Sequence, residues 1–301
     1  MKLLTICPVH DFSGDGWDGN AYFCDRSDPN LVVRSNINNI KRFNPNAKIL
    51  FHVNAGFESF DIDGISQIED VYINPKRFSV THGKSQLGSI ISSMQYAIDN
   101  NIDFDYITIT HSGEMFVKEG MCDYIKNHEF SSWYPPGRPK NLAGWQPYES
   151  VVSLYGRLYD LFCDLVNPLD QDKLSAGFIE GSFFRKDLVI KIVNWFKDHF
   201  DINTLNNLDF VAEELLIPTI SYYLSETKSP ATSCNVILLN NGHNPQTDMI
   251  QVNRIRNNQP ILAWTPNQFG GDDLIDSTHI YSLKRINRII TDPVRQQILN
   301  L

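Results

Sequence analysis

Two adjacent carboxylates, Glu213 and Glu214, stand where a helical pattern begins in Phe210-Val211-Ala212-Glu213-Glu214-Leu215-Leu216-Ile217-Pro218-Thr219. Adjacent helical side chains diverge, so at most one of them faces a given pocket. A carboxylate held there can accept a proton as a general base. The same pair also complements the positive end of a helix dipole, a purely structural use. A second candidate is Asn74-Pro75-Lys76-Arg77, followed by His82-Gly83-Lys84-Ser85. This segment leads from a strand into a helix, and a helix N-terminus flanked by Arg77 and Ser85 suits an anion such as a diphosphate. It is not a P-loop, because Phe78 stands where that motif needs its first glycine. Its bland reading is an ordinary N-cap beside solvated lysines. A third is Asn54, which ends Phe51-His52-Val53-Asn54 and suits a nucleobase or ribose, or else caps its own turn. A fourth is Lys284-Arg285, late in an acidic chain, where either cation can neutralise a leaving diphosphate or simply face solvent.

No metal signal emerges. Asp61-Ile62-Asp63 and Asp103-Phe104-Asp105 carry the letters of an Asp-x-Asp site but precede their strands, and Asp272-Asp273 lacks the spacing. The strand that would present such a pair ends Thr110-His111-Ser112-Gly113-Glu114-Met115. The nucleophile elbow Gly-x-Ser-x-Gly is absent too.

These residues need a scaffold. Short apolar runs at 3–7, 48–53, 71–73 and 105–110 read as buried strands. Helical patterns at 31–43 and after Ser85, with Leu87, Ile90, Ile91, Met94 and Ile98 on one face, alternate with them. The alternation predicts an α/β fold with a mostly parallel central sheet flanked by helices. Ligands in such sheets bind beyond the carboxyl ends of the strands, so the loops after Cys7, Val53, Ile73 and Thr110 are expected to line a site. Further on, 130–148 reads as a structured loop rich in Pro, Gly and aromatics. Helices are expected at 150–166, 188–200 and 214–224, a strand at 178–184, then two short strands and a final helix at 293–299. Pro218 fits only the first turn of its helix. One domain over 1–301 is expected, with a ligand-binding half at 1–130 and a catalytic half at 131–301.

Composition bounds the partners. The 301 residues carry a formal net charge of −9, which argues against a nucleic-acid partner. The first residues are too short an apolar run for a signal peptide, and no stretch is long enough for a spanning helix. The five cysteines are odd in number and scattered without a Cys-x-x-Cys pair, so a reducing, cytoplasmic setting is expected. The sequence leaves the oligomeric state open.

The order of these features resembles the core-2/I-branching β-1,6-N-acetylglucosaminyltransferase family, which includes the peptide O-xylosyltransferases. The likeness runs from about Leu3 to Leu299 and rests on the order of several weak motifs. Val9-His10 matches the opening strand and its His-containing loop. His52-Val53-Asn54 matches a strand ending His-Val-Asp, with Asn for Asp. Arg77, His82-Gly83 and Ser85 match an Arg, a Trp-Gly pair and a helix-opening Ser. Ser112-Gly113-Glu114-Met115 is a degraded match to Ser-Gly-x-Asp. Gly181-Ser182-Phe183, Glu213-Glu214-Leu215-Leu216-Ile217-Pro218-Thr219, Trp264 and Ile280-Tyr281-Ser282-Leu283-Lys284 complete the series.

The resemblance implies a GT-A fold, an inverting mechanism and no metal, with basic side chains carrying the charge a metal would carry. It implies a UDP-sugar as donor substrate and no other cofactor, with a glycan acceptor. Glu214 takes the place of the catalytic base and Lys284 that of the diphosphate ligand. His10, Asn54, Arg77, Ser85 and Arg285 fall on the nucleotide side, and Trp264 and Glu180 on the acceptor side. The family's second diphosphate arginine has no counterpart between Trp264 and Lys284, which leaves Arg285, Arg254 or Arg256. Two rival readings stand beside it. One is a metal-dependent glycosyltransferase using Asp272-Asp273. The other is an inactive glycan-binding relative, suggested by the Asn54 and Met115 departures.

Overall fold

In the computed structural model the described residues are 1–9, 28–78, 85–137, 165–166, 170–207, 212–238, 248–264, 272–284, 286 and 288–301. Nearly all of the expected helix at 150–166 and most of the expected loop at 130–148 fall outside them, as do His10, Arg285 and the side chain of Trp264.

The first sheet follows the sequence pattern. Strands β1 (Leu3–Val9), β2 (Lys48–Val53), β3 (Val71–Asn74) and β4 (Tyr106–Ile109) are short and almost wholly buried, as parallel strands covered on both faces must be. They pair in the order β3-β2-β1-β4, all parallel. The crossovers are α1 (Pro29–Phe43), α2 (Ile62–Ser66) and α3 (Leu87–Asp99). Asp28 caps α1 and Pro29 begins it, where a missing N–H costs nothing. Apolar residues from α3 and from the later helix α5 (Lys186–His199) cover one face of the sheet, and α1 and α2 cover the other. The α/β fold with a mostly parallel central sheet flanked by helices is therefore as the sequence predicts.

The strand expected at 178–184 is shorter and later. It is β6 (Phe183–Arg185), antiparallel to β4. Residues 178–182 turn instead, because Gly181 has φ +71°. The two Asp-x-Asp sequences are structural. Asp61 caps α2 and pairs with Arg34 at 2.6 Å, and Asp103 pairs with Lys2 at 2.5 Å.

There is a second sheet, of which the sequence anticipates only two short strands. It runs β5-β10-β7-β8-β9, from β5 (Glu114–Phe116), β7 (Asn235–Leu238), β8 (Ile261–Trp264), β9 (Asp272–Ile275) and β10 (Ser282–Lys284). Only β7 and β10 are parallel neighbours. The described chain also holds α4 (Met121–Ile125), α6 (Glu213–Leu224), α7 (Met249–Arg256) and α8 (Pro293–Leu299). Among the described residues no helix is long and apolar enough to cross a membrane.

The two sheets meet at Gly181. Its N–H donates to the carbonyl of Ile109 at the end of β4 (2.7 Å), and its own carbonyl accepts from Cys234 just before β7 (2.9 Å). A Cβ on residue 181 would lie 2.1 Å from the Asn235 Cβ and 2.5 Å from its backbone nitrogen. Positive φ and a backbone collision together predict that Gly181→Ala costs roughly 2–4 kcal/mol. Urea denaturation measures this, and a change within a few tenths of a kcal/mol would contradict the seam.

Candidate active site

The carboxyl end of β4 collects the chemistry. Beyond Ile109 the chain runs Thr110-His111-Ser112-Gly113 into β5. Two buried asparagines of α1 hold this loop. Asn36 donates to the Ser112 carbonyl (3.1 Å), and Asn39 exchanges two bonds with Phe116 (2.7 and 2.9 Å). Asn36 also accepts from Arg295 of α8, a guanidinium buried completely against Ser35 and held near pKa 10 by burial first and then by Arg288. Gly113 donates to His111 Nδ1 at 2.7 Å, which leaves the neutral ring's proton on Nε2. A Cβ at 113 would meet the imidazole at 2.8 Å.

Three buried carboxylates face this end. Glu114 is the first, and the sequence reading gave it no role. Its oxygens accept from Thr110 (2.8 Å) and from Ser282 of β10 (2.5 Å). Burial pushes its pKa up to about 7 against those bonds. Glu180 is the second, in the turn before β6. Its Oε1 accepts from Lys284 Nζ at 2.7 Å, and His111 Nε2 stands 3.7 Å away. Its Oε2 is buried and makes no hydrogen bond among the described residues. Glu213 is the third. It accepts from Ser85 Oγ (2.5 Å) and from the Gln86 N–H (3.1 Å), and burial raises its pKa to about 7, with Glu180's charge adding to the rise.

Glu213 was expected to diverge from any pocket that Glu214 faces. In the structure both carboxylates are buried, and Glu213 reaches the start of α3. Ser85 accepts from Leu87 N–H (3.1 Å) while donating to Glu213, so the protein supplies its own anion where a diphosphate was expected. Glu214, at the second position of α6, is buried. Its setting follows from Pro218, which lies inside α6 and not in its first turn as the sequence suggested. Proline has no N–H for the Glu214 carbonyl, and Gly177 donates to it at 3.0 Å instead. Thr219 Oγ1 bridges both backbone groups of Ser175. The 175–180 segment is thereby tied to α6, and Glu180 with it.

The cations come from the C-terminal chain. Lys284 ends β10 opposite Glu114, with its ammonium 5.4 Å from the centre of the Phe178 ring. Ile286 N–H donates to the Gly113 carbonyl, and Arg288 Nε donates to Ser112 Oγ at 2.9 Å. Among the described residues Arg288 is the arginine that hydrogen-bonds this loop, and the sequence reading did not name it. Arg254 and Arg256 sit exposed in the last turn of α7, where they complement its dipole. Asn54 closes its own turn onto Gly56 (3.1 Å), and Arg77 donates to the carbonyls of Asn54 and Phe57. Arg77 also lines a cleft of about 530 Å³ at the outer edge of β3, with Tyr72, Asn74 and Tyr96. Behind it His52 is buried and neutral, its pKa lowered to about 4 by burial and by Lys76 and Arg77. Trp264 ends β8 with its backbone beside Asp272 of β9. Among the described residues no cluster of three His, Cys, Asp or Glu side chains could hold a metal.

No known protein-family model matches the chain, and no curated protein does. Solved structures give distant likenesses. The bifunctional IspDF of Campylobacter jejuni aligns at 10% identity and TM-score 0.33, over 69% of this chain and 47% of that one. A Bacillus anthracis protein described as a glucose-1-phosphate thymidylyltransferase, crystallised with sucrose, aligns at 7% identity and TM-score 0.34, over 68% and 81%. The glycosyltransferase GlyE of Streptococcus pneumoniae aligns at 13% identity and TM-score 0.25, over 67% and 44%. The chain spans about half the length of the first and third of these. At such scores the likenesses carry no argument about activity.

Glu114 and Glu213 hold a proton more tightly folded than unfolded, since their ordinary value is 4.5 and their folded value about 7. The folded chain therefore binds more protons across that window, and stability falls as pH rises through it. Glu114→Gln keeps the shape without a charge to bury. It should gain roughly 1–3 kcal/mol over wild type above pH 7 and flatten the decline. Melting temperatures across this range, unchanged in slope, would contradict the burial of a titrating Glu114.

Proposed function

We propose that the chain is an inverting, metal-independent glycosyltransferase of GT-A type. It takes a sugar, N-acetylglucosamine or xylose, from a UDP-sugar and transfers it to a hydroxyl of a glycan acceptor. The observation that carries the reading is the pair of cations brought to the carboxyl end of β4, Lys284 on Glu180 in the turn that bonds Ile109 and Arg288 on Ser112 of the loop, beside buried carboxylates. That is where an α/β sheet of this kind binds its ligand. Two cations there match the charge of a departing diphosphate.

In this reading Glu214 takes the proton from the acceptor hydroxyl. The oxygen attacks the anomeric carbon from the face opposite the nucleotide, and the carbon–diphosphate bond breaks. Lys284 and Arg288 hold the charge on the leaving group, each contact lowering the barrier by a few kcal/mol. Asn54 and Arg77, joined by a hydrogen bond at the end of β2, belong to the nucleotide side, with His10 and Arg285 as further donor-side candidates. Trp264 and Glu180 position the acceptor sugar.

Transfer, or hydrolysis of the donor, should survive excess EDTA. Loss of activity with rescue by Mn²⁺ would favour the metal-dependent rival. Glu214→Gln keeps hydrogen bonding but cannot accept a proton, so turnover should fall roughly 10²–10⁴-fold with donor affinity little changed. Near-normal turnover would remove Glu214 from the chemistry.

A further inference from the structure

We propose that Lys284 is a shared cation: an anionic ligand takes its ammonium from Glu180, and Glu180 then takes up a proton. The inference rests on the reading above for the ligand's class, a nucleoside diphosphate or its pyrophosphate moiety. It rests on geometry for the coupling. The ammonium lies 2.7 Å from Glu180 Oε1. The lysine side chain keeps 17% of its exposure and the glutamate 8%, so the cation is the less buried member of the pair.

Glu180 has little else to hold its charge. His111 Nε2 is 3.7 Å away, and Oε2 is buried without a hydrogen bond among the described residues. Glu114 of β5 and Glu213 of α6, both of its own sign, also act on it. A diphosphate that engages Lys284 at its oxygens withdraws the cation paired with Glu180 and brings more negative charge. An unpaired carboxylate buried among like charges is costly, and the cheapest relief is protonation. Lys284 keeps all its protons, and the proton for Glu180 comes from solvent. Once neutral, Glu180 becomes a donor, able to hydrogen-bond a sugar hydroxyl or a diphosphate oxygen.

The test is calorimetry with inorganic pyrophosphate and with UDP, at neutral pH, in two buffers of different ionisation enthalpy. Wild-type protein should take up roughly 0.5–1 proton per ligand bound, and its affinity should weaken with rising pH by the matching factor, roughly three- to tenfold per pH unit near neutrality. Glu180→Gln removes the competitor for the lysine. It should bind roughly tenfold more tightly at neutral pH and lose most of the uptake. The ligands' own titration is common to both proteins and cancels in the difference. Glu213→Gln, a neighbour that does not touch Lys284, should keep the uptake. Wild-type binding without uptake, or an uptake unchanged in Glu180→Gln, overturns the proposal. Pyrophosphate binding with uptake but no added affinity from the uridine would leave the shared cation standing and remove the UDP reading. No binding of either ligand would overturn both.

Discussion

The seam at Gly181 is the constraint on which the site depends. One backbone unit there joins the carboxyl end of the parallel sheet to the second sheet, with no room for a side chain between them. The residue before it is Glu180, so the seam sets where that carboxylate sits. The second sheet in turn delivers Lys284 from β10 to meet it. Because β10 also lies antiparallel to β5, the same pairing buries Glu114 against Ser282. Sheet geometry and charge placement are therefore one problem at this seam.

Charge balance at the site is tight. Of the carboxylates buried here, Glu114, Glu180 and Glu213 act on one another's charge, and Lys284 pairs with Glu180. Two of the three meet the cost of burial by holding protons more strongly and by collecting hydroxyl and N–H donors. The third is met by the lysine. Such a cluster is expensive for stability, and expensive buried charge gathered at the ligand end of a sheet is a mark of function more than of folding. The caps behave differently. Glu129, another buried carboxylate, is satisfied by the N–H groups of Glu226 and Thr227 and the hydroxyl of Thr227, far from any strand's carboxyl end in use here. It shows what a structural glutamate looks like in this chain.

The first sheet was legible because its strands are continuous apolar runs between turn signals, with helices of clear 3.6 periodicity between them. Of the second, two short late strands were legible, 282–284 among the late segments read as extended, but not their pairing, because strands of three or four residues carry no period that says which neighbours they join. Glu213 and Glu214 stood out as a pair, yet which way Glu213 turns depends on α3, a helix more than a hundred residues earlier. Pro218 looked like an N-terminal residue because nothing local reveals that Gly177 takes the carbonyl it leaves open. Arg288 was invisible for the same reason: its partner, Ser112, lies 176 residues away. Lys284 and Glu180 were each named from motif order, but their contact is a product of the two-sheet seam.

The measurement that tests the account most directly is a structure of the protein with UDP, or a non-hydrolysable UDP-sugar, bound. The account predicts the diphosphate at the carboxyl end of β4, with an oxygen within about 3 Å of Lys284 Nζ and Arg288 turned to it. Glu180 should be separated from Lys284, and the Glu214 carboxylate should face the side of the sugar away from the nucleotide. A diphosphate bound elsewhere, with the Lys284–Glu180 pair intact, would contradict it.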